Sequence, residues 1–128
     1  MSAWVNELPP RYHYRLHAGC GERALVGTWD LWVDQTRTSQ PVMRVRGLDR
    51  SGRWTLRRYR SLIPTVADIA DEAVAALRTN PHGVTITYWP NGAVRTVSLD
   101  PIANAIDDEA CYRIGQVHPL PPQGSALS

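Results

Sequence analysis

Polar and apolar positions alternate over several short stretches of the chain, and each stretch predicts a strand. From Tyr12 to Ala18, the residues Tyr12, Tyr14, Leu16 and Ala18 fall on one face and His13, Arg15 and His17 on the other. This is the period-2 signature of a half-buried strand. Gly19-Cys20-Gly21 breaks it. A second run, Leu25 to about Val33, sets Leu25, Trp29, Leu31 and Val33 against Thr28, Asp30 and Asp34. Gly27 lies among the inward positions and predicts a bulge or the close approach of another group. Val42 to Leu48 alternates again, with Met43 and Val45 opposite Arg44 and Arg46. After the turn Leu48–Arg53, Trp54 to Tyr59 reads as a fourth short strand.

The pattern changes period after Pro64. Val66, Ile69, Ala70, Ala73, Val74 and Leu77 recur at helical spacing, which predicts one amphipathic helix over about 65–79. Thr65 supplies an N-cap and Asp68, three residues on, completes a capping pair. Asn80-Pro81-His82-Gly83 stops the helix. A hairpin follows, with Asn91-Gly92 as a two-residue type I′ turn. Folding about that turn pairs Val84 with Leu99 and Ile86 with Val97 on one face, and Thr85 with Ser98 and Thr87 with Thr96 on the other. A one-residue slip would destroy this match. Ala110 to Val117 reads as a last strand. The fold class is therefore α+β: a single antiparallel sheet of about six or seven strands, in the order ββββαββ(β), with the helix packed across one face. Residues 11–118 form a single domain, and 1–10 and 119–128 read as irregular termini.

Composition narrows the chemistry. All fourteen basic residues are arginine, so neither Schiff-base chemistry nor a lysine general base is available. The net charge of +2 is too small to call for a polyanionic partner by itself. No apolar run is long enough to span a membrane, and the N-terminus lacks the pattern of a signal peptide. As written the sequence predicts a cytoplasmic protein, or an exported one if a signal has been removed ahead of it. No metal site and no cofactor motif is expected: His13, His17, His82 and His118 do not supply the paired spacings of a zinc site. Cys20 and Cys111 permit one disulfide or two free thiols.

Among candidate chemistry, the acidic run Asp107-Asp108-Glu109 stands first, since neighbouring carboxylates can split into an acid and a base or hold a hard cation. Its plainer reading is a solvated turn before the last strand. If the protein is an enzyme, Asp108, Glu109 and His17 are the residues expected to act. The stretch Arg44–Arg60 holds seven arginines interleaved with Trp54 and Tyr59. A nucleic-acid site would need Arg44, Arg46, Arg57 and Arg60 on one continuous face, and alternation accounts for most of these arginines as the exposed side of two strands, so nucleic acid is disfavoured. Exposed tryptophan on a sheet face fits a ligand or partner surface. Trp32, Trp54, Arg44, Arg46 and Arg57 are the expected binding face.

Several pieces together carry a resemblance: Tyr12-x-Tyr14, the Cys20-Gly21-Glu22-Arg23 segment, Gly47-Leu48-Asp49, Pro64-Thr65 and the hairpin. Leu99-Asp100 and the run from Asn104 through Asp107-Asp108-Glu109 to Cys111-Tyr112 complete it. Over about residues 11–117 the chain resembles a widespread bacterial family catalogued as domain of unknown function 6174. The resemblance implies a small α+β protein. It also implies that Cys20 and Cys111 pair, since many similar proteins look exported or lipid-anchored, although this sequence shows no export signal or lipobox. It brings no catalytic residues. The resulting expectation is a small non-catalytic binding or interaction domain, its ligand an unknown small molecule or protein, using an open sheet face with Trp and Arg side chains. The alternative is a small cyclase, isomerase or hydrolase with an acidic residue in a pocket between helix and sheet.

Overall fold

The computed structural model describes residues 4, 6–19, 25–37, 39–99 and 110–121. Seven strands form one antiparallel sheet: β1 (Arg11–Ala18), β2 (Gly27–Asp34), β3 (Val42–Gly47), β4 (Val84–Tyr88), β5 (Val94–Leu99), β6 (Ala110–Ile114) and β7 (His118–Pro119). Two helices, α1 (Arg50–Tyr59) and α2 (Val66–Thr79), lie between β3 and β4 in the chain. The strand order is β3-β2-β1-β6-β5-β4, with β7 also on β1. Two meanders, β1–β3 and β4–β6, thus join edge to edge through β1 and β6, where Leu16 faces Ile114 and His17 faces Arg113.

Both helices cover the same side of the sheet. Tyr14, Leu16, Trp29, Leu31, Val97 and Ile114 are fully buried under them. α2 follows its expected stripe: Val66, Ile69, Ala70 and Ala73 are buried, while Leu77 at the far end is exposed. Thr65 and Asp68 form the reciprocal capping box, with Asp68 N–H donating to Thr65 Oγ1 at 3.2 Å and Thr65 N–H to Asp68 Oδ2 at 2.9 Å. Val66 N–H, another orphan donor of the first turn, donates to the Tyr14 hydroxyl in the core at 3.1 Å. Burial, the main cause, pushes that hydroxyl's pKa far above its ordinary value.

Two expectations need correction. Trp54–Tyr59 is not a fourth strand but the body of a helix, so the element order is three strands, two helices and four strands. Asp49 caps this helix by accepting from Gly52 N–H at 2.6 Å. Its inward positions are Gly52, Thr55 and Leu56, spaced three and four apart, of which the first two are buried. Small residues are needed there because α1 sits directly on the sheet. A Cβ at Gly27, where φ is +151°, would lie 2.5 Å from Gly52 Cα, and one at Gly52 would lie 2.4 Å from Thr28 O. The group expected to approach Gly27 is therefore Gly52. Trp29 Nε1–H closes the contact by donating to Gly52 O at 2.8 Å.

The second correction concerns the hairpin turn. All four expected pairs are present, from Val84–Leu99 to Thr87–Thr96. The turn itself runs from Trp89 to Ala93, with Gly92 N–H donating to Trp89 O and Trp89 N–H to Ala93 O, and Gly92 has φ +90°. A two-residue turn would require Pro90 to donate an N–H that it lacks. The extra turn residue is cancelled one step later, where Tyr88 pairs with Val94 and the register shifts.

Candidate functional site

The side of the sheet away from the helices carries the outward residues of every strand. Register aligns them in rows. In one row, His118 on β7, His13 on β1, Trp32 on β2 and Arg44 on β3 are successive cross-strand neighbours. His13, Trp32 and Arg44 stack at the interstrand spacing of ~4.8 Å, while His118 stands further off, its ring centroid 6.2 Å from that of His13. The His13 and Trp32 ring centroids are 4.6 Å apart at 21°, and the Arg44 guanidinium lies 4.8 Å from the Trp32 centroid. Both faces of Trp32 are therefore occupied, and the row presents ring edges outward.

The next row is Arg15–Asp30–Arg46. Asp30 is 7% exposed; it accepts from Arg15 Nε at 3.0 Å and lies 3.6 Å from His13 Nε2. At the end of β1 and β2, Arg11 Nε lies 3.4 Å from Asp34 Oδ2. The Thr36 hydroxyl is the chief cause holding the Asp34 carboxyl below its ordinary value. Two of the open-face arginines are thus neutralised. Arg44, Arg46 and Arg113 have no ion pair among the described residues.

The third row is Thr96–Arg113–His17–Thr28. His17 Nδ1 lies 2.8 Å from Thr28 Oγ1. Thr28 in turn meets Asp49, its amide donating to Oδ1 at 3.2 Å and its hydroxyl hydrogen-bonding the same carboxylate. Burial pushes the Asp49 carboxyl up, but the Gly52 and Thr28 donors, with His17 nearby, outweigh it and hold the group below its ordinary value. A carboxylate depressed in the folded state binds fewer protons there than in the unfolded chain. Its stabilisation is therefore complete above the unfolded value of about 3.9 and is lost as pH falls through the lower folded value. Resistance to urea is expected to decline on acidification below about pH 4. Asp49→Asn keeps a cap but cannot titrate, and should show a shallower decline; parallel pH profiles for the two proteins would refute this.

The expected binding face divides between two layers. Trp32, Arg44 and Arg46 share the open face, as alternation predicted. Trp54 and Arg57 do not: they lie on α1, across the sheet, because that segment is helical. There Trp54 is 49% exposed against Tyr59, beside a depression lined by Val26, Arg50, Ser51 and Thr55. Arg57 and Arg60 are likewise separated from Arg44 and Arg46, so the four do not form the continuous basic surface required for nucleic acid. His17 is on the open face. Asp107, Asp108, Glu109 and Cys20 lie outside the described residues. Cys111 is disulfide-bonded.

Arg113 and His118 escaped sequence reasoning as members of this surface, since no local signal announces that β6 and β7 pair with β1. Thr28 and Asp49 were legible only as an outward strand residue and part of a turn. On the helix side, a groove of about 640 Å3 runs between the start of α2 and the β2–β3 edge, lined by Leu31, Val42, Val45, Ile63 and Thr65. The carboxylate it offers among the described residues is Asp68, already committed to the capping box.

A single antiparallel sheet, covered by two helices on one side and lined by arginine and stacked aromatic rings on the other, defines a two-layer α+β protein. The chain belongs to DUF6174, a family of unknown function whose family model matches residues 1–119. Neither the curated proteins nor the solved structures include a match to it. Among the described residues, no helix is long and apolar enough to cross a membrane.

Proposed function

We propose that this is a non-catalytic binding domain whose open sheet face takes an anionic ligand. The observation that supports this reading is the set Arg44, Arg46 and Arg113, three guanidinium groups without an ion pair among the described residues, on the face that the helices leave uncovered. Guanidinium groups at fixed strand spacings suit carboxylate or phosphate oxygens, which they bind through paired N–H donors. Arg44 and Arg113 lie three strands and two rows apart, about 14 Å across the strands and about 13 Å along them, or roughly 20 Å in all at the usual spacings. That span fits a ligand with more than one anionic group. The stack of His13, Trp32 and Arg44 holds one guanidinium in place, which reduces the conformational entropy lost on binding.

The enzyme alternative depends on Asp108 and Glu109, and the helix-side groove brings no uncommitted carboxylate of its own among the described residues. Polyglutamate and inorganic polyphosphate are suitable probes, titrated by calorimetry at low and moderate salt. Binding of at least one is expected, weakening with salt. Arg44→Glu with Arg46→Glu should reduce affinity by about ten-fold or more, since like charge at an interface is strongly penalised. Arg57→Glu with Arg58→Glu, on α1, should leave it within about two-fold. Absence of binding, or binding that follows the α1 pair, would overturn the proposal.

A further inference from the structure

The His17–Thr28–Asp49 chain has a polarity that can be worked out from its hydrogen bonds. The Asp49 carboxylate is an acceptor for Gly52 N–H at 2.6 Å and Thr28 N–H at 3.2 Å. The Thr28 hydroxyl has one proton, and a carboxylate accepts it in preference to a neutral ring nitrogen. Thr28 Oγ1 then faces His17 Nδ1 with lone pairs only, 2.8 Å away. Nδ1 must therefore carry the ring proton. In the neutral imidazole this leaves Nε2 as a bare acceptor. His17 is half-buried, and its Nε2 lies beside Gly19, where a Cβ would stand in ordinary contact at 3.7 Å. Directly opposite His17 on β6 is Arg113, exposed and without an ion pair among the described residues.

We infer that His17 and Arg113 form a subsite for an oxyanion that still carries its own O–H, such as monohydrogen phosphate or the monoanion of a phosphomonoester. Arg113 donates to the anionic oxygens, and His17 Nε2 accepts the remaining proton in a hydrogen bond. A fully deprotonated oxyanion of the same shape meets the Nε2 lone pair with a second lone pair and is rejected. Asp49 and Thr28 are positioning residues: Thr28 touches the ring, Asp49 acts through Thr28, and neither touches the ligand. The inference rests on the open face being an anion site, and it adds a specificity to that site.

Inorganic phosphate and sulfate separate the two ideas. At about pH 8 both are dianions of one shape, and only phosphate keeps a proton to donate. In NMR titrations of the full chain, phosphate is expected to shift His17 and Arg113 signals at least about ten-fold more tightly than sulfate, the difference a charge-assisted hydrogen bond supplies. Side-chain 15N spectra should show His17 as the Nδ1–H form. Thr28→Val should lose that tautomer and most of the preference for phosphate, while Thr28→Ser retains both. If neither anion binds, this subsite falls, and the anion-binding reading falls with it only if polyglutamate and polyphosphate also fail to bind. If both bind equally, or if Thr28→Val keeps the preference, only the His17 assignment is overturned.

Discussion

Gly27→Ala is expected to destabilise the protein by about 4 kcal/mol, combining two separate costs. The first is conformational: φ of +151° is a region that residues with a Cβ rarely adopt, and forcing one there costs about 1–3 kcal/mol. The second is steric. The new Cβ would sit 2.5 Å from Gly52 Cα and 2.6 Å from Gly52 N, which are backbone atoms at the start of α1 and cannot rotate aside. Overpacking of this kind costs about 1–3 kcal/mol, occasionally more. Relief would require α1 to lift, breaking the Trp29–Gly52 and Thr55–Val26 hydrogen bonds. Two controls separate the terms. Gly92→Ala carries a positive φ of +90° with nothing within 4 Å, so it should cost only about 1–2 kcal/mol. Gly52→Ala carries the collision alone, with Thr28 O at 2.4 Å, and should fall between the others. Urea unfolding of the three variants reads the order directly, and Gly27→Ala no worse than Gly92→Ala would mean that α1 does not seat on the sheet as described.

This contact also explains why α1 was misread from sequence. A helix is recognised by an apolar stripe, but of the inward positions here only Leu56 is apolar, and the two buried ones, Gly52 and Thr55, are set by size rather than hydrophobicity. What remains visible in Trp54-Thr55-Leu56-Arg57-Arg58-Tyr59 is high strand propensity and a short alternation. α2, which buries Val66, Ile69 and Ala70 in the ordinary way, was legible to its cap. The hairpin register was legible for a different reason. Face matching between Val84–Ile86 and Val97–Leu99 constrains the strands, and the turn adapts to them, by a longer loop around Pro90 and a compensating bulge next to Tyr88. The open face was half legible. Alternation placed Arg44, Arg46 and His17 outward, because period 2 is a local property. It could not bring Arg113 beside His17, which depends on pairing across nearly a hundred residues.

Loss of the disulfide at Cys111 is expected to have the other large effect. The chain has one other cysteine, Cys20, and a bond between them would close a loop of about 90 residues holding β2 to β5. For a loop of this length the chain-entropy estimate approaches 4.7 kcal/mol, and observed values more often reach about 2–4 kcal/mol. Gly19 N–H already donates to Cys111 O at 3.1 Å, and Ala18 is in register with Tyr112, so the sheet brings these segments together without the covalent link. The bond therefore acts mainly by restricting the unfolded chain. The oxidised protein should weigh two protons less than the reduced one and resist alkylation. Reduction, or Cys20→Ser with Cys111→Ser, should lower the urea midpoint by an amount corresponding to about 3 kcal/mol. Two alkylatable thiols in protein from an oxidising compartment, or an unchanged midpoint, would refute the pairing. A coupled effect follows from position: Cys111 is two residues from Arg113 on β6, and β6 meets β1 at His17. Fraying of this seam in the reduced protein should weaken phosphate binding before the sheet as a whole unfolds, because local opening costs less than global unfolding.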